Sequence, residues 1–267
     1  MISEIFRKAK SENRAALALF ITCGDPSMEF TERLVGRISS CGADIIELGV
    51  PFSDPMADGP VIQAASQRAI AAGANLEKVI GMVARLRKNG VKTPIVLFGY
   101  MNVFFRLGIE KAARMSREAG ADAWLIADLP LEEMGEALPA LKANGMDFIP
   151  LAAPTTPPAR IREISEAGSG FLYYVTVSGV TGVRDRLPDG FAERLAQVRA
   201  ASKLPVGAGF GISNFESAHA AAANADAVIV GSRLVSLIHE THAAKGEDAA
   251  LEAAGKFVSE LAEAVRR

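Results

Sequence analysis

Short runs of four to seven mostly apolar residues alternate along this chain with longer stretches in which apolar positions recur every three or four residues. The short runs have the pattern of buried strands and the longer ones that of helices. Strand-type runs are Ala16 to Thr22, Ile45 to Val50, Pro94 to Gly99, Ala123 to Ala127, Asp147 to Leu151, Gly170 to Val175, Leu204 to Ala208 and Ala227 to Val230. Helical spacing predicts segments near Ile2 to Lys10, Glu29 to Cys41, Val61 to Ala72, Ile109 to Ala119 and Glu132 to Ala143, with a helical tail after Arg233. Nearly every strand-type run ends at a glycine, a proline or a polar group. Such alternation requires parallel strands joined by helical crossovers, and eight repeats close a (β/α)8 TIM barrel, here with an extra helix ahead of the first strand. An open doubly wound sheet is the alternative. It is disfavoured because no G-x-G-x-x-G follows the first strand.

Composition narrows the picture. The 267 residues, about half of them hydrophobic and with a formal net charge of −2, suit one globular barrel domain with a sizeable core. Lysine and arginine are spread along the chain, which argues against nucleic acid or an anionic membrane as main partner. Cys23 and Cys41 are too few for a disulfide framework, and no CxxC pair or histidine cluster has metal-binding spacing. His219, His239 and His242 fall on polar helical stretches and are expected in solvent. Arg7, Lys8 and Lys10 before the apolar Ala15 to Cys23 resemble a short signal peptide, but Glu4 and Glu12 spoil its basic region. The better reading is an amphipathic helix feeding the first strand, with a cytoplasmic location as the expectation.

The candidate chemistry starts at Glu47, a carboxylate inside an apolar strand. An unpaired charge there costs several kcal/mol, so it calls for a partner, a raised pKa or a role in chemistry. Asp58 lies eleven positions on, in a loop punctuated by Pro51, Pro55 and Pro60. Structural readings stand beside both: Glu47 as half of an ion pair, and Asp58 as the N-cap of the helix that Pro60 opens. Asp54, before Pro55, has the place of a turn residue.

Active sites of such barrels lie at the C-terminal ends of the strands. There Gly209-Phe210-Gly211, Gly231-Ser232 and Thr181-Gly182 offer backbone N–H groups to a phosphate, as loops after the last strands of a barrel often do. Any one of these glycines alone reads as a turn residue. Phe20, Tyr100, Leu125, Ala127, Tyr173, Phe210 and Ile229 would line an apolar pocket suited to a flat aromatic body, or simply fill barrel layers, a reading that weighs most for Leu125 and Ile229. Ser178 to Asp189 reads as a lid or as an ordinary surface loop.

The run from Glu47 to Gln63, ELGVPFSDPMADGPVIQ, resembles the signature of the tryptophan synthase alpha chain family. IADLP, SGVTG, GFGIS and GS follow in order at Ile126, Ser178, Gly209 and Gly231, so the resemblance runs from the first helix to about Val235. It implies a TIM barrel that cleaves indole-3-glycerol phosphate to indole and glyceraldehyde 3-phosphate. It assigns Glu47 and Asp58 as catalytic, and Gly182, Gly211, Gly231 and Ser232 as phosphate-binding. The indole pocket falls on the apolar residues named above, and Thr181 matches a lid threonine that meets the aspartate on closure.

In the implied retro-aldol reaction, Glu47 delivers and removes protons and Asp58 accepts the indole N–H. The resemblance implies no metal or cofactor in this chain. It implies a pyridoxal-phosphate beta chain as partner, in an alpha-beta-beta-alpha heterotetramer with the Asp54 to Asp58 loop on the partner side. Two other functions remain open. Another phosphate-binding barrel, such as a sugar-phosphate isomerase or the synthase that makes indole-3-glycerol phosphate, is one; that synthase should carry a strand lysine, and none of the eight runs does. A non-catalytic regulatory subunit is the other, and the presence of both carboxylates argues against it.

Overall fold

The computed structural model describes residues 2–175, 190–209 and 211–267. Among them lie nine strands: β1 (Ala16–Thr22), β2 (Ile45–Gly49), β3 (Ile95–Gly99), β4 (Ala123–Ile126), β5 (Asp147–Phe148), β6 (Leu151–Ala152), β7 (Leu172–Val175), β8 (Val206–Gly209) and β9 (Ala227–Val230). All pair in parallel in one sheet, in the order β5-β4-β3-β2-β1-β9-β8-β7-β6. The two ends of that order are one piece of chain, because only Ile149-Pro150 separates β5 from β6. The expected continuous strand from Asp147 to Leu151 is thus split. Ile149 N–H donates to the Trp124 carbonyl at 2.8 Å, and the Pro150 carbonyl accepts from Tyr173 N–H at 2.9 Å. Proline brings no N–H to the ladder, so the break falls where the chain passes from pairing with β4 to pairing with β7. Counted this way, eight strand positions close a barrel.

The helices are α1 (Ile2–Ser11), α2 (Met28–Ser40), α3 (Pro60–Ala71), α4 (Leu76–Lys88), α5 (Met101–Leu107) and α6 (Ile109–Ala119), then α7 (Leu138–Ala143), α8 (Pro158–Ala167), α9 (Phe191–Ala201), α10 (Phe215–Ala222), α11 (Ser232–Lys245) and α12 (Glu247–Ala264). The single helix expected from Glu132 to Ala143 is two pieces, a 3-10 segment Leu131–Glu136 and then α7. Pro139 sits in the first turn of α7, where its missing N–H costs nothing, and it cannot lie inside a longer helix.

Side-chain alternation separates two cores. Leu17, Leu19, Ile46, Leu48, Leu97 and Trp124 point out of the barrel into the layer under the helices. Trp124 is 0 % exposed, packs on Phe104 with ring centroids 4.3 Å apart, and donates from Nε1 to Ser116 Oγ. Ala18, Ile45, Val96, Leu125, Tyr173 and Ile229 point inward. Helix α1 plugs the N-terminal end of the barrel: Ile2 and Phe6 join the inner cluster, with Phe6 5.5 Å from Phe171. Each such side chain taken from water stabilises the fold by about 1.5–3 kcal/mol.

The N-terminal rim is stitched by a repeated device. Asp44, Asp122 and Asp226 each precede a strand, and each accepts the N–H of a residue on the neighbouring strand, namely Leu17, Ile95 and Val206. The aspartate backbone N–H returns a bond to the carbonyl of that same residue. An arginine completes each clamp: Arg14, Arg87 and Arg199 respectively.

Candidate active site

Glu47 is the third residue of β2, aligned with Phe20 on β1 and Val96 on β3. It is 0 % exposed, and neither carboxyl oxygen has a hydrogen-bond partner among the described residues. The inward side chains around it are apolar, so burial alone pushes its pKa up to about 8. At neutral pH the group is therefore mostly an uncharged acid. Among the described residues no lysine or arginine pairs with Glu47, against its reading as half of an ion pair.

Asp58 stands at the end of the loop after β2. It is not the N-cap of α3; Gly59 holds that place and makes no side-chain cap. The Asp58 side chain turns instead to Tyr100, whose hydroxyl donates to Oδ2 at 2.9 Å and accepts from Ala57 N–H at 3.0 Å. Gln63 holds the Asp58 carbonyl at 2.8 Å. Burial raises the Asp58 pKa to about 6, against the lowering effect of the Tyr100 hydroxyl. Burial, with the Asp58 charge next in size, raises the tyrosine's own pKa. Phe52 packs on the Tyr100 ring at 5.3 Å and holds it in place.

An aromatic arc runs over the carboxylates. Phe20 meets Phe98 edge-on at 5.2 Å, and Phe98 meets Tyr173 edge-on at 6.2 Å. Missing side chains make room for it: the Phe20 ring occupies the space a Cβ on Gly49 would need, and the Tyr173 hydroxyl lies 2.6 Å from where a Cβ on Gly209 would sit. Burial raises the Tyr173 phenol well above its ordinary pKa, and the nearby Glu47 and Asp58 add to it.

Of the other expected pocket residues, Leu125 and Ile229 are sealed in the inner cluster, and Ala127 is half-buried just beyond β4. Phe98 was not singled out in the sequence. Its signal was parity, two residues after Val96 on β3 and so on the same inward face. Ile62 was also missed; it packs with Phe20, Ala65 and Val235 under the mouth.

Gly231 abuts Phe20, its Cβ position 3.2 Å from the phenylalanine Cβ, and precedes Ser232, the first residue of α11. Helix α11 has no side-chain cap, as is also true of α3, α5 to α9 and α12. Its first N–H groups open at the C-terminal end of β9, an arrangement that favours an anion. Gly211, at φ +75°, lies just past β8. Thr181, Gly182, Phe210 and the Ser178 to Asp189 segment lie outside the described residues. No group of three His, Cys, Asp or Glu side chains able to hold a metal occurs among the described residues.

The family described as tryptophan synthase alpha chain matches residues 6–266. The chain belongs to that family. A tryptophan synthase alpha chain from Citrifermentans bemidjiense is 46% identical over 264 residues, covering 99% of this chain and 97% of the relative. One from Dechloromonas aromatica is 48% identical over 242 residues, covering 91% and 90%. The crystal structure of tryptophan synthase subunit alpha from Legionella pneumophila str. Paris superposes with a TM-score of 0.91 at 38% identity, covering 99% of this chain and 97% of that one.

As a tryptophan synthase alpha chain family member, the protein is an enzyme of tryptophan biosynthesis that cleaves indole-3-glycerol phosphate. Membership also implies a beta-chain partner. No helix among the described residues is long and apolar enough to cross a membrane.

Proposed function

We propose that Glu47 is the acid and base of a retro-aldol cleavage of indole-3-glycerol phosphate, that Asp58 holds the indole nitrogen, and that Gly211, Gly231 and Ser232 take the phosphate. The observation that carries this reading is Glu47 itself: wholly buried, without a partner among the described residues, beside an aromatic arc, and with a pKa raised to about 8. Its proton goes to indole C3. The ring then bears positive charge, which ionised Asp58 stabilises by accepting the indole N–H. Glu47, now a carboxylate, takes the proton of the hydroxyl on the carbon attached to C3. The carbon–carbon bond breaks, its electron pair restores the indole, and glyceraldehyde 3-phosphate leaves as the aldehyde. Glu47 ends as the acid it began as, so every proton is accounted for. The pKa values of about 8 and about 6 suit these opposite duties, one carboxyl held neutral and one ionised.

The same reading extends to assembly. Met56 and Phe105 are exposed large apolar residues, 79% and 64% accessible. Phe105 lies on α5, whose Asn102 and Leu107 line a cavity of about 510 Å³ together with Phe52 and Ile70, next to the Asp58 loop. An apolar patch rimmed by polar groups marks a protein contact. We assign it to the beta chain, which holds the pyridoxal phosphate, in an alpha-beta-beta-alpha heterotetramer. A cytoplasmic location is supported by the use of Arg7, Lys8 and Lys10 on the exposed face of the barrel-plugging helix.

The test is indole release from indole-3-glycerol phosphate by the purified chain, alone and with a tryptophan synthase beta chain, repeated with Glu47→Gln and Asp58→Asn. The expected result is release that rises with the partner and falls in both folded variants. Near-full turnover in either variant would remove the role given to that residue, and no rise with the beta chain would remove the docking assignment.

A further inference from the structure

Three sulfur atoms meet behind the mouth, between β1, α2 and α4. Cys23 directly follows β1, Met28 opens α2, and Met82 lies on α4. Cys23 Sγ is 4.0 Å from Met28 Sδ and 4.0 Å from Met82 Sδ. Cys23 and Met82 are 0 % exposed. Met28 is half-buried and lines a cavity of about 320 Å³ with Ser27, Ala72 and Gly81, so the cluster has a route to solvent through its thioether.

Spacing, softness and charge converge on one class of ligand. Metal–sulfur bonds of about 2.3 Å in a planar three-sulfur site put neighbouring sulfurs about 4.0 Å apart, the separation of Cys23 from each of the two methionine sulfurs. Thiolate and thioether ligands select soft ions such as Cu(I) over hard or borderline ones. Binding replaces the thiol proton, which leaves to solvent, by the metal ion. One thiolate and two neutral thioethers then balance a single positive charge, whereas a divalent ion would leave a net charge in an apolar core. Burial raises the thiol pKa strongly, so no free thiolate precedes the metal.

We propose that Cys23, Met28 and Met82 form a binding site for a soft monovalent d10 cation, Cu(I) or Ag(I). The site is coupled to the mouth by the backbone, since Cys23 N–H donates to the Gly49 carbonyl at 2.9 Å, two residues beyond Glu47.

The test uses full-length protein with Cys41→Ser, so that Cys23 is the only thiol, and an anaerobic Cu(I)–bicinchoninate complex as the probe. The expected result is transfer of one Cu(I) per chain, X-ray absorption showing three sulfurs at about 2.3 Å, and no comparable uptake of Zn(II). Cys23→Ala should abolish transfer. The volume-conserving pair Met28→Leu/Met82→Leu should weaken it at least tenfold with the thiol still present, and carries the test if the alanine variant fails to fold. Full transfer to folded Cys23→Ala, unchanged affinity in the leucine pair, or equal uptake of Zn(II) would overturn the site.

Discussion

The two rims of the barrel use the same chemical group in opposite ways. At the N-terminal rim Asp44, Asp122 and Asp226 are each met by a strand N–H and an arginine. At the C-terminal mouth, among the described residues, Glu47 has no hydrogen-bond partner, and Asp58 has one hydroxyl and no cation. Asp122 shows the contrast within a single group: burial raises its pKa, while the Ile95 N–H and the Arg87 charge pull it down. Nothing pulls Glu47 down. The lesson is that environment divides the carboxylates: those at one rim are tied into the barrel, and those at the other keep raised pKa values, which suits the acid–base roles proposed for them.

Exchanging the two outcomes is the sharpest way to break this comparison. Glu47→Gln is expected to lower kcat by roughly two to four decades and to leave the unfolding midpoint unchanged or higher, because a neutral amide suits the apolar surround. Asp122→Ala should do the reverse, costing about 2 kcal/mol of stability by leaving the buried Ile95 N–H without its acceptor and Arg87 with backbone carbonyls alone, with kcat little changed. Parallel denaturation curves and steady-state assays would read both. A large stability loss in the first or a large activity loss in the second would erase the division between the rims.

Much of this was legible in the chain because it rests on local pattern. Seven of the eight strand-type runs became single strands, and Glu47 stood out as a charge in an apolar strand. The misses came from contacts that bring distant segments together. Asp58 preceded Gly59-Pro60 and had the look of a cap, but Gly59 satisfies that position and frees the aspartate for Tyr100, forty-two residues away. Pro150 signalled a break that strand periodicity alone overrode. The rim clamps had a signal that was not used: alanine and aspartate recur just ahead of the strand at Ala43-Asp44, Ala121-Asp122 and Ala225-Asp226.

The pH dependence of turnover comes next in size. With Glu47 required as the acid and Asp58 as the carboxylate, kcat/KM should fall above about pH 8 and below about pH 6. Stability carries a related signature. Glu47 is protonated in the fold at pH values where the unfolded chain has already released its proton. Its contribution is therefore full below pH 4.5 and is lost as pH rises toward about 8. Each pH unit across that window is worth roughly 1.4 kcal/mol. Glu47→Gln should remove this part of the slope, read as a wild-type stability that falls relative to the variant between pH 5 and pH 8. Curves that stay parallel would mean that Glu47 is already ionised in the fold.

The smallest expected effect isolates the one partner the mouth supplies. In Tyr100→Phe the ring and its packing on Phe52 stay, while Asp58 loses the hydroxyl that lowers its pKa. A hydrogen bond to a carboxylate contributes roughly 1.5 kcal/mol or somewhat more, so kcat/KM should drop by roughly tenfold rather than by several decades. The acid limb should move upward from about pH 6, because burial then acts on Asp58 unopposed. Movement of that limb distinguishes an effect on the carboxylate from a simple loss of packing, which would lower the rate evenly across the profile. A limb that stays in place while the rate falls would make Tyr100 a wall of the pocket. Asp58 would then stand as alone as Glu47, and the mouth would differ from the other rim even more completely.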